Sequence, residues 1–286
     1  MQSKDDRTPS LKSVVLMGLL ALGLTVFAGG VWTALLVGNL SLSPGIPWSV
    51  VVMGLLLWLV WEYLGGRWRP KSTQAVRRRY LRSNPVSFGT FIWTFVAGML
   101  AVSALAGLWI VMVQLTNMKG NLLPEFSRYP IVTVLLVVVM ASVVSSLAEE
   151  VGFRGYFQSS LEGRFRVPIA ILIPCLVIAV PHALTQGFNW PVLVFYLLVD
   201  VMLGVSAYLT NSILPGIAIH SVGLLVFFAL VWPFDPTRIG ISSGRADGWF
   251  WLHMAQAVTF ALLGLLAFAY VARRTKHQGL GNSHID

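Results

Sequence analysis

The sequence predicts an all-α protein, a polytopic transmembrane helical bundle of about eight membrane helices, on three observations. Charged residues make up 11% of the 286, where a soluble domain carries about 25%, while hydrophobic residues make up 56% and the mean hydropathy is +0.76. Apolar runs long enough for a hydrocarbon core about 30 Å thick recur along the chain. The twenty Lys and Arg residues collect mostly in a few clusters between those runs. So few charges cannot cover a water-facing surface, which excludes an ordinary soluble enzyme and a disordered chain. The single cysteine, Cys175, lies in an apolar run and excludes a disulfide framework or a multi-cysteine zinc site.

Eight runs are read as spans: 14–37, 47–64, 88–115, 130–147, 167–184, 191–209, 213–232 and 249–271. The first is too long for the apolar region of a signal peptide, and no small-residue cleavage site ends it, so it is expected to remain as a helix. No fixed-period repeat and no second domain interrupts the series. The expected organisation is a flexible cytoplasmic tail over 1–12, a single transmembrane domain over 13–272 and a second flexible cytoplasmic tail over 273–286. An even number of spans places both termini on one side. Sixteen of the twenty basic residues fall on that side, the asymmetry that marks a cytoplasmic face. A missed span before residue 150 would scramble it. Tryptophans such as Trp48, Trp68, Trp190, Trp232 and Trp249 sit at span ends, as an interfacial belt does.

The loop 65–87 holds Arg67, Arg69, Lys71, Arg77, Arg78, Arg79 and Arg82 and no acid. It is expected to lie against anionic lipid headgroups. Membrane lipid, rather than nucleic acid, accounts for the net charge of +9, since no nucleic-acid-binding fold accompanies the basic loop.

Ionisable residues inside spans are costly and are functional candidates by default. Glu62 and His253 lie near interfaces, where their polar ends can reach water. Glu149, Glu150, Arg154, His182, Asp200 and His220 need another explanation. The stretch 145–154 continues the helix of the fourth span. Glu150 and Arg154 are four apart with the acid first, the favoured order for a pair on one helical face. Glu149 stands about 100° round from Glu150, so one carboxylate can be held while its neighbour projects elsewhere. The plainer reading is a salt bridge at a helix end. Glu149 lies roughly 21 Å of helix before the turn between spans four and five, and His182 roughly 22 Å after it, so an antiparallel pair brings them to one depth. Pro181 removes a backbone donor beside His182. By itself His182 reads equally as a buried neutral ring. His220 follows the turn that contains Asn211 and Pro215-Gly216, on a helix of its own. Asp200 either faces the same cavity or accepts a hydroxyl such as that of Ser206 or Thr210.

Glu149-Glu150-x-x-x-Arg154, then Ile178-x-x-x-His182, then Ile213-Leu214-Pro215-Gly216-x-x-x-His220 resemble the motifs of the CAAX-protease and bacteriocin-processing family (CPBP, or Abi) of intramembrane proteases. The resemblance covers about 130–232. Two positions depart from the family's pattern. Ile178 stands where phenylalanine is usual and keeps the apolar bulk. Leu224 stands where many members have asparagine and removes a hydrogen-bond donor, a loss that at an oxyanion site costs about 10²–10³ in rate. The resemblance implies an intramembrane endopeptidase acting on a membrane-associated peptide or protein, with prenylated CAAX tails, the family's eukaryotic theme, as one substrate class; the compact chain points instead to a bacterial plasma membrane as its setting. It implies that Glu149 with His182 activates a water, that His220 stabilises the oxyanion, and that Glu150 and Arg154 position the first carboxylate. No cofactor is firmly expected. Glu149, His182 and His220 are also a donor set for a divalent metal such as zinc, although the HExxH spacing of helical zinc sites is absent.

Two other classes compete. With Leu224 in place of a donor, the same fold could serve as a non-catalytic binding or immunity factor. The buried acids and histidines could instead form the relay of a proton-coupled transporter, for which the expected inverted repeats are not seen. Gly240-Ile-Ser242-Ser-Gly244 fits GxSxG by letters only, because it lies in a loop and not on a strand–turn–helix elbow. The sequence carries no sign of oligomeric state.

Overall fold

A computed structural model of the chain describes residues 9–116, 128–185, 190–231 and 246–282, and every regular element among them is helical. Helix α1 (Leu11–Leu42) starts at Ser10, whose side chain accepts from the Ser13 amide, and turns back into α2 (Trp48–Leu64). The buried Asn39 closes that turn. Its amide group donates to the carbonyls of Ser43 and Ile46 at 3.0 and 2.9 Å, and its oxygen accepts from the Ser49 amide at 2.9 Å. A short 3₁₀ turn and α3 (Gln74–Leu81) follow, then α4 (Phe88–Thr116). Helix α5 (Ile131–Glu149) runs on without a break into a π-helical stretch, Glu150–Gln158, and a last turn, α6 (Ser159–Glu162). Helices α7 (Val167–Thr185), α8 (Trp190–Thr210) and α9 (Leu214–Val226) come next, α9 again ending in a π-helical turn, Phe227–Val231. Helix α10 (Gly248–Asn282) is the last.

Six of these segments are long and apolar enough to cross a membrane: Leu11–Leu42, Phe88–Thr116, Ile131–Glu162, Trp190–Thr210, Leu214–Val231 and Gly248–Lys276. The other two runs read as spans, Trp48–Leu64 and Val167–His182, form shorter apolar helices. Helix α10 continues to Asn282, through most of the stretch read as a flexible tail. The GxSxG letters around Ser242 lie outside the described residues.

Apolar clusters hold the bundle. Between α4, α8 and α9, Trp109, Phe195 and Phe227 meet at ring-centroid distances of 4.8 to 6.4 Å. Between α1, α2 and α5, Trp32, Met53, Leu57 and Val144 are buried together. Helix α1 also lies on the π-helical stretch, where Gly152 is needed: a Cβ there would stand 3.0 Å from the Cα of Ala21.

Two of the seven basic residues in the loop depart from expectation, while the other five are exposed. Arg77 and Arg82 turn into the protein instead of towards headgroups. The Arg77 guanidinium donates to the carbonyls of Tyr63, Trp68 and Pro70 and lies 4.2 Å from the centre of the Tyr63 ring. Arg82 donates to Asn211 at 3.1 Å and to Glu162 at 3.0 Å, and Arg67 pairs with Glu62. The reason is local: backbone carbonyls at and just beyond the end of α2 offer Arg77 well-placed acceptors, and side-chain oxygens of Asn211 and Glu162 do the same for Arg82. The Arg82 carbonyl in turn accepts from the Ile213 amide at 3.0 Å, and Asn84 is bonded to Asn211 and Ser212. The loop thereby fixes the start of α9, the helix that carries His220.

Candidate active site

Glu149 is the last residue of α5 and Glu150 the first of the π-helical stretch. All nine residues of that stretch are buried, under α1, α3, α7 and α8. A π-helical turn bonds i to i+5 and is wider than an α-turn, a distortion that recurs at functional sites. Here both adjacent carboxylates are buried within the bundle. Glu150 and Arg154 pair as the spacing predicts, Oε1 to Nη1 at 3.6 Å, an ion-pair distance without a hydrogen bond.

Helix α7 brings His182 to the same depth as Glu149, Nε2 to Oε1 at 3.7 Å. Pro174 and Pro181 both lie within this helix. The His182 ring stacks on Tyr196 of α8, with centroids 4.5 Å apart and planes 12° from parallel. Helix α9 opens with Pro215 in its first turn, where a missing amide hydrogen costs nothing. Gly216 comes next, and a Cβ on it would stand 2.6 Å from Glu150 Oε2. The glycine is the floor on which the Glu150 carboxylate rests. One turn later His220 places Nδ1 3.1 Å from Glu150 Oε1 and Nε2 3.9 Å from Glu149 Oε2. Ser146 and Ser221 meet at 2.5 Å and tie α9 to α5.

The structure thus brings together Glu149, Glu150, Arg154, His182 and His220. Asp200 joins them on the cavity, the first of the two places expected for it. Its carboxylate accepts from Arg154 Nη2 and bonds neither of the two hydroxyls considered; the Thr210 hydroxyl donates to the carbonyl of Ser206. An ionised side chain in an apolar interior pairs first with the opposite charge in reach. Glu62 and His253 stay outside the cluster, on Arg67 and on Gln256 respectively.

Glu149, His182, Asp200 and His220 line one cavity of about 220 Å³, with Ser145 and Tyr196 adding polar atoms to a wall that is otherwise apolar, including Phe195, Val199, Leu224 and Phe228. Leu224 lies on it one turn beyond His220. Tyr196 was missed from sequence. Its spacing of four from Asp200 on α8 was the available signal, since residues four apart share a helical face.

Glu149, His182 and His220 have the chemistry of a divalent-metal donor set. The two ring nitrogens approach different oxygens of Glu149, and the other nitrogen of His220 is engaged by Glu150. Among the described residues, no group of three or more His, Cys, Asp or Glu is placed to hold a metal ion.

Residues 131–226, from the first residue of α5 to the last of α9, match a family model described as type II CAAX prenyl endopeptidase Rce1-like. The match spans the whole cluster and is consistent with the CPBP family. No curated protein and no solved structure matches the chain.

Proposed function

We propose that this integral membrane protein is an endopeptidase that hydrolyses a peptide bond of a membrane-associated substrate, with prenylated CAAX-type tails as the leading class. The observation that carries the reading is the Glu149 carboxylate set between two imidazoles on the wall of a largely apolar cavity, within a stretch similar to prenyl endopeptidases. Glu149, with His182 beside it, takes a proton from a water as the water oxygen bonds to the scissile carbonyl carbon. Negative charge then forms on the carbonyl oxygen. His220 Nε2 is the donor to it. Because an ionised Glu150 can only accept, His220 Nδ1 carries a proton, and donation from Nε2 requires the imidazolium. In that state the three carboxylates of the cluster are opposed by Arg154 and by the ring. The proton on Glu149 passes to the amide nitrogen as the C–N bond breaks.

Helices α2 and α7 complete eight crossings in this reading. At 17 and 19 residues they are about 26 and 28 Å long, close to the hydrocarbon thickness of about 30 Å. Both termini then lie on the basic, cytoplasmic side of a bacterial plasma membrane.

The test is hydrolysis of a farnesylated CAAX-type peptide, alongside a library of membrane-anchored reporters, by protein in lipid vesicles. Glu149→Gln keeps shape and hydrogen-bonding size but cannot take up the proton, so cleavage should be lost while the protein stays folded and inserted. Leu224 supports a second reading, a non-catalytic binding or immunity factor, because the cavity wall carries a leucine where an amide donor would stand. Wild-type protein inert across the library would favour that reading.

A further inference from the structure

Arg154 has two carboxylates in reach, and they are not equivalent. Glu150, the acid four residues before it, stands 3.6 Å from Nη1, and among the described residues Nη1 has no hydrogen-bond partner. Asp200 of α8 holds the guanidinium instead. Its Oδ1 accepts from Nη2, and so does its backbone carbonyl at 3.3 Å. Meanwhile the Glu150 oxygen nearest the guanidinium, Oε1, is the atom that lies 3.1 Å from His220 Nδ1. One carboxylate oxygen therefore faces two competing donors, Arg154 Nη1 and His220 Nδ1, and Asp200 holds the guanidinium that carries the first of them by its other nitrogen, Nη2. A buried guanidinium left without its own acceptor takes the nearest carboxylate, since charge-assisted bonds are the strongest available and an unpaired charge is the most costly state.

We infer that Asp200 is a positioning residue, one that engages Arg154 and so leaves Glu150 free to fix the His220 ring. It lies outside the Glu-Glu-x-x-x-Arg element and both histidine elements, on a helix that none of them occupies. Without it, the Arg154 guanidinium turns onto Glu150, and His220 loses the partner that sets its orientation and its protonated nitrogen. The role rests on the reading of His220 as oxyanion donor, but the hydrogen bond it protects is observable without any reaction.

The test uses the full chain in lipid nanodiscs with two readouts. One is hydrolysis of the farnesylated CAAX-type peptide. The other is the NMR signal of the His220 Nδ1–H in protein with isotope-labelled histidine, assigned by its absence from His220→Ala. Asp200→Ala should lower kcat about 10- to 100-fold, the usual range for a residue that orients another, with KM changed less than about twofold, and should erase the hydrogen-bonded Nδ1–H signal. Asp200→Asn, which keeps the shape and one acceptor, should fall between the wild type and alanine and serves if alanine fails to fold. Adding Arg154→Met to Asp200→Ala should bring the signal back, because the competitor is gone. A His220 signal unchanged in both Asp200 variants, or one that stays lost in the double variant, overturns the inference. If the wild type hydrolyses nothing, yet the signal is lost in Asp200→Ala and returns in the double variant, the positioning role stands and the protease reading falls.

Discussion

Two polar clusters sit among the apolar helices, and they are built to opposite ends. The first gathers Glu149, Glu150, Arg154, His182, Asp200 and His220 from four segments around a cavity. The second joins α4 to α10. There Gln114 donates to Asp247 at 2.9 Å, Asp247 accepts from the Phe250 amide at 2.9 Å, Gln256 donates to the Ser103 carbonyl at 2.9 Å, and His253 meets Gln256 at 3.0 Å. The second cluster is mostly amides and backbone groups, and two of its bonds, Gln114 to Asp247 and Gln256 to Ser103, cross directly from one helix to the other. The first is mostly charge: both clusters leave buried polar atoms without hydrogen bonds among the described residues, His253 Nε2 in the second, but in the first these belong to charged groups, Glu150 Oε2, Asp200 Oδ2 and Arg154 Nη1. Polarity inside an apolar bundle is thus not a mark of chemistry by itself. Charge convergent on a cavity separates the two, because unsatisfied buried charge has no purely structural benefit.

The largest expected contrast comes from breaking each cluster once. Glu149→Gln should reduce cleavage about 10²–10⁴-fold, the usual cost of losing a general base, with the thermal midpoint little changed. Gln256→Leu should do the reverse: kcat holds, while loss of the bond to Ser103 lowers stability by about 0.6 kcal/mol, typical of an interhelical hydrogen bond in a membrane. Activity and midpoint measured on both proteins decide it. If Gln256→Leu lost cleavage as severely as Glu149→Gln, the two clusters would not be functionally distinct.

A smaller effect sharpens the geometry of the first cluster. Gly216→Ala places a Cβ 2.6 Å from Glu150 Oε2, so the carboxylate must move. The overpacking should cost about 1–3 kcal/mol, read as a lowered midpoint, and kcat should fall because His220 shares that carboxylate. Leu224→Asn is gentler. It adds a donor on the His220 face of α9, so turnover of the CAAX-type peptide should hold or rise; a loss greater than tenfold would argue that the apolar wall itself selects the substrate.

The smallest effect lies in the second cluster and is read by pH. Gln114 and the Phe250 amide, by donating to Asp247, hold its carboxyl below the ordinary aspartate range. A carboxyl depressed in the folded state stabilises at pH values above its unfolded value, about 3.9, and that contribution is lost as pH falls through the folded value. The midpoint of the wild type should therefore decline on acidification below about pH 4, and that of Asp247→Asn should decline less. Identical acid profiles would show that the bond to Gln114 carries no stability.

Much of this was written in the chain itself. Glu149, Glu150, Arg154, His182 and His220 stand out because an ionisable group in an apolar run is costly wherever the run ends up, and helical rise alone puts Glu149 level with His182. The identity of those five residues and their order along the chain needed no neighbours. What the tertiary structure decided is who pairs with whom. Asp200 could be read towards a hydroxyl or a cavity, and it lines the cavity with its carboxylate on Arg154, because α8 packs beside the π-helical stretch. Arg77 and Arg82 were read as facing lipid, and they went inward because the end of α2 and the α8–α9 turn present acceptors beside them. Gly216 looked like part of a turn and proved to be the seat of the Glu150 carboxylate. The burial cost of a charge depends on its own residue and solvent. Its partner depends on separations of a few ångströms between helices, set by close approaches such as Gly152 against Ala21, which no spacing within one helix encodes.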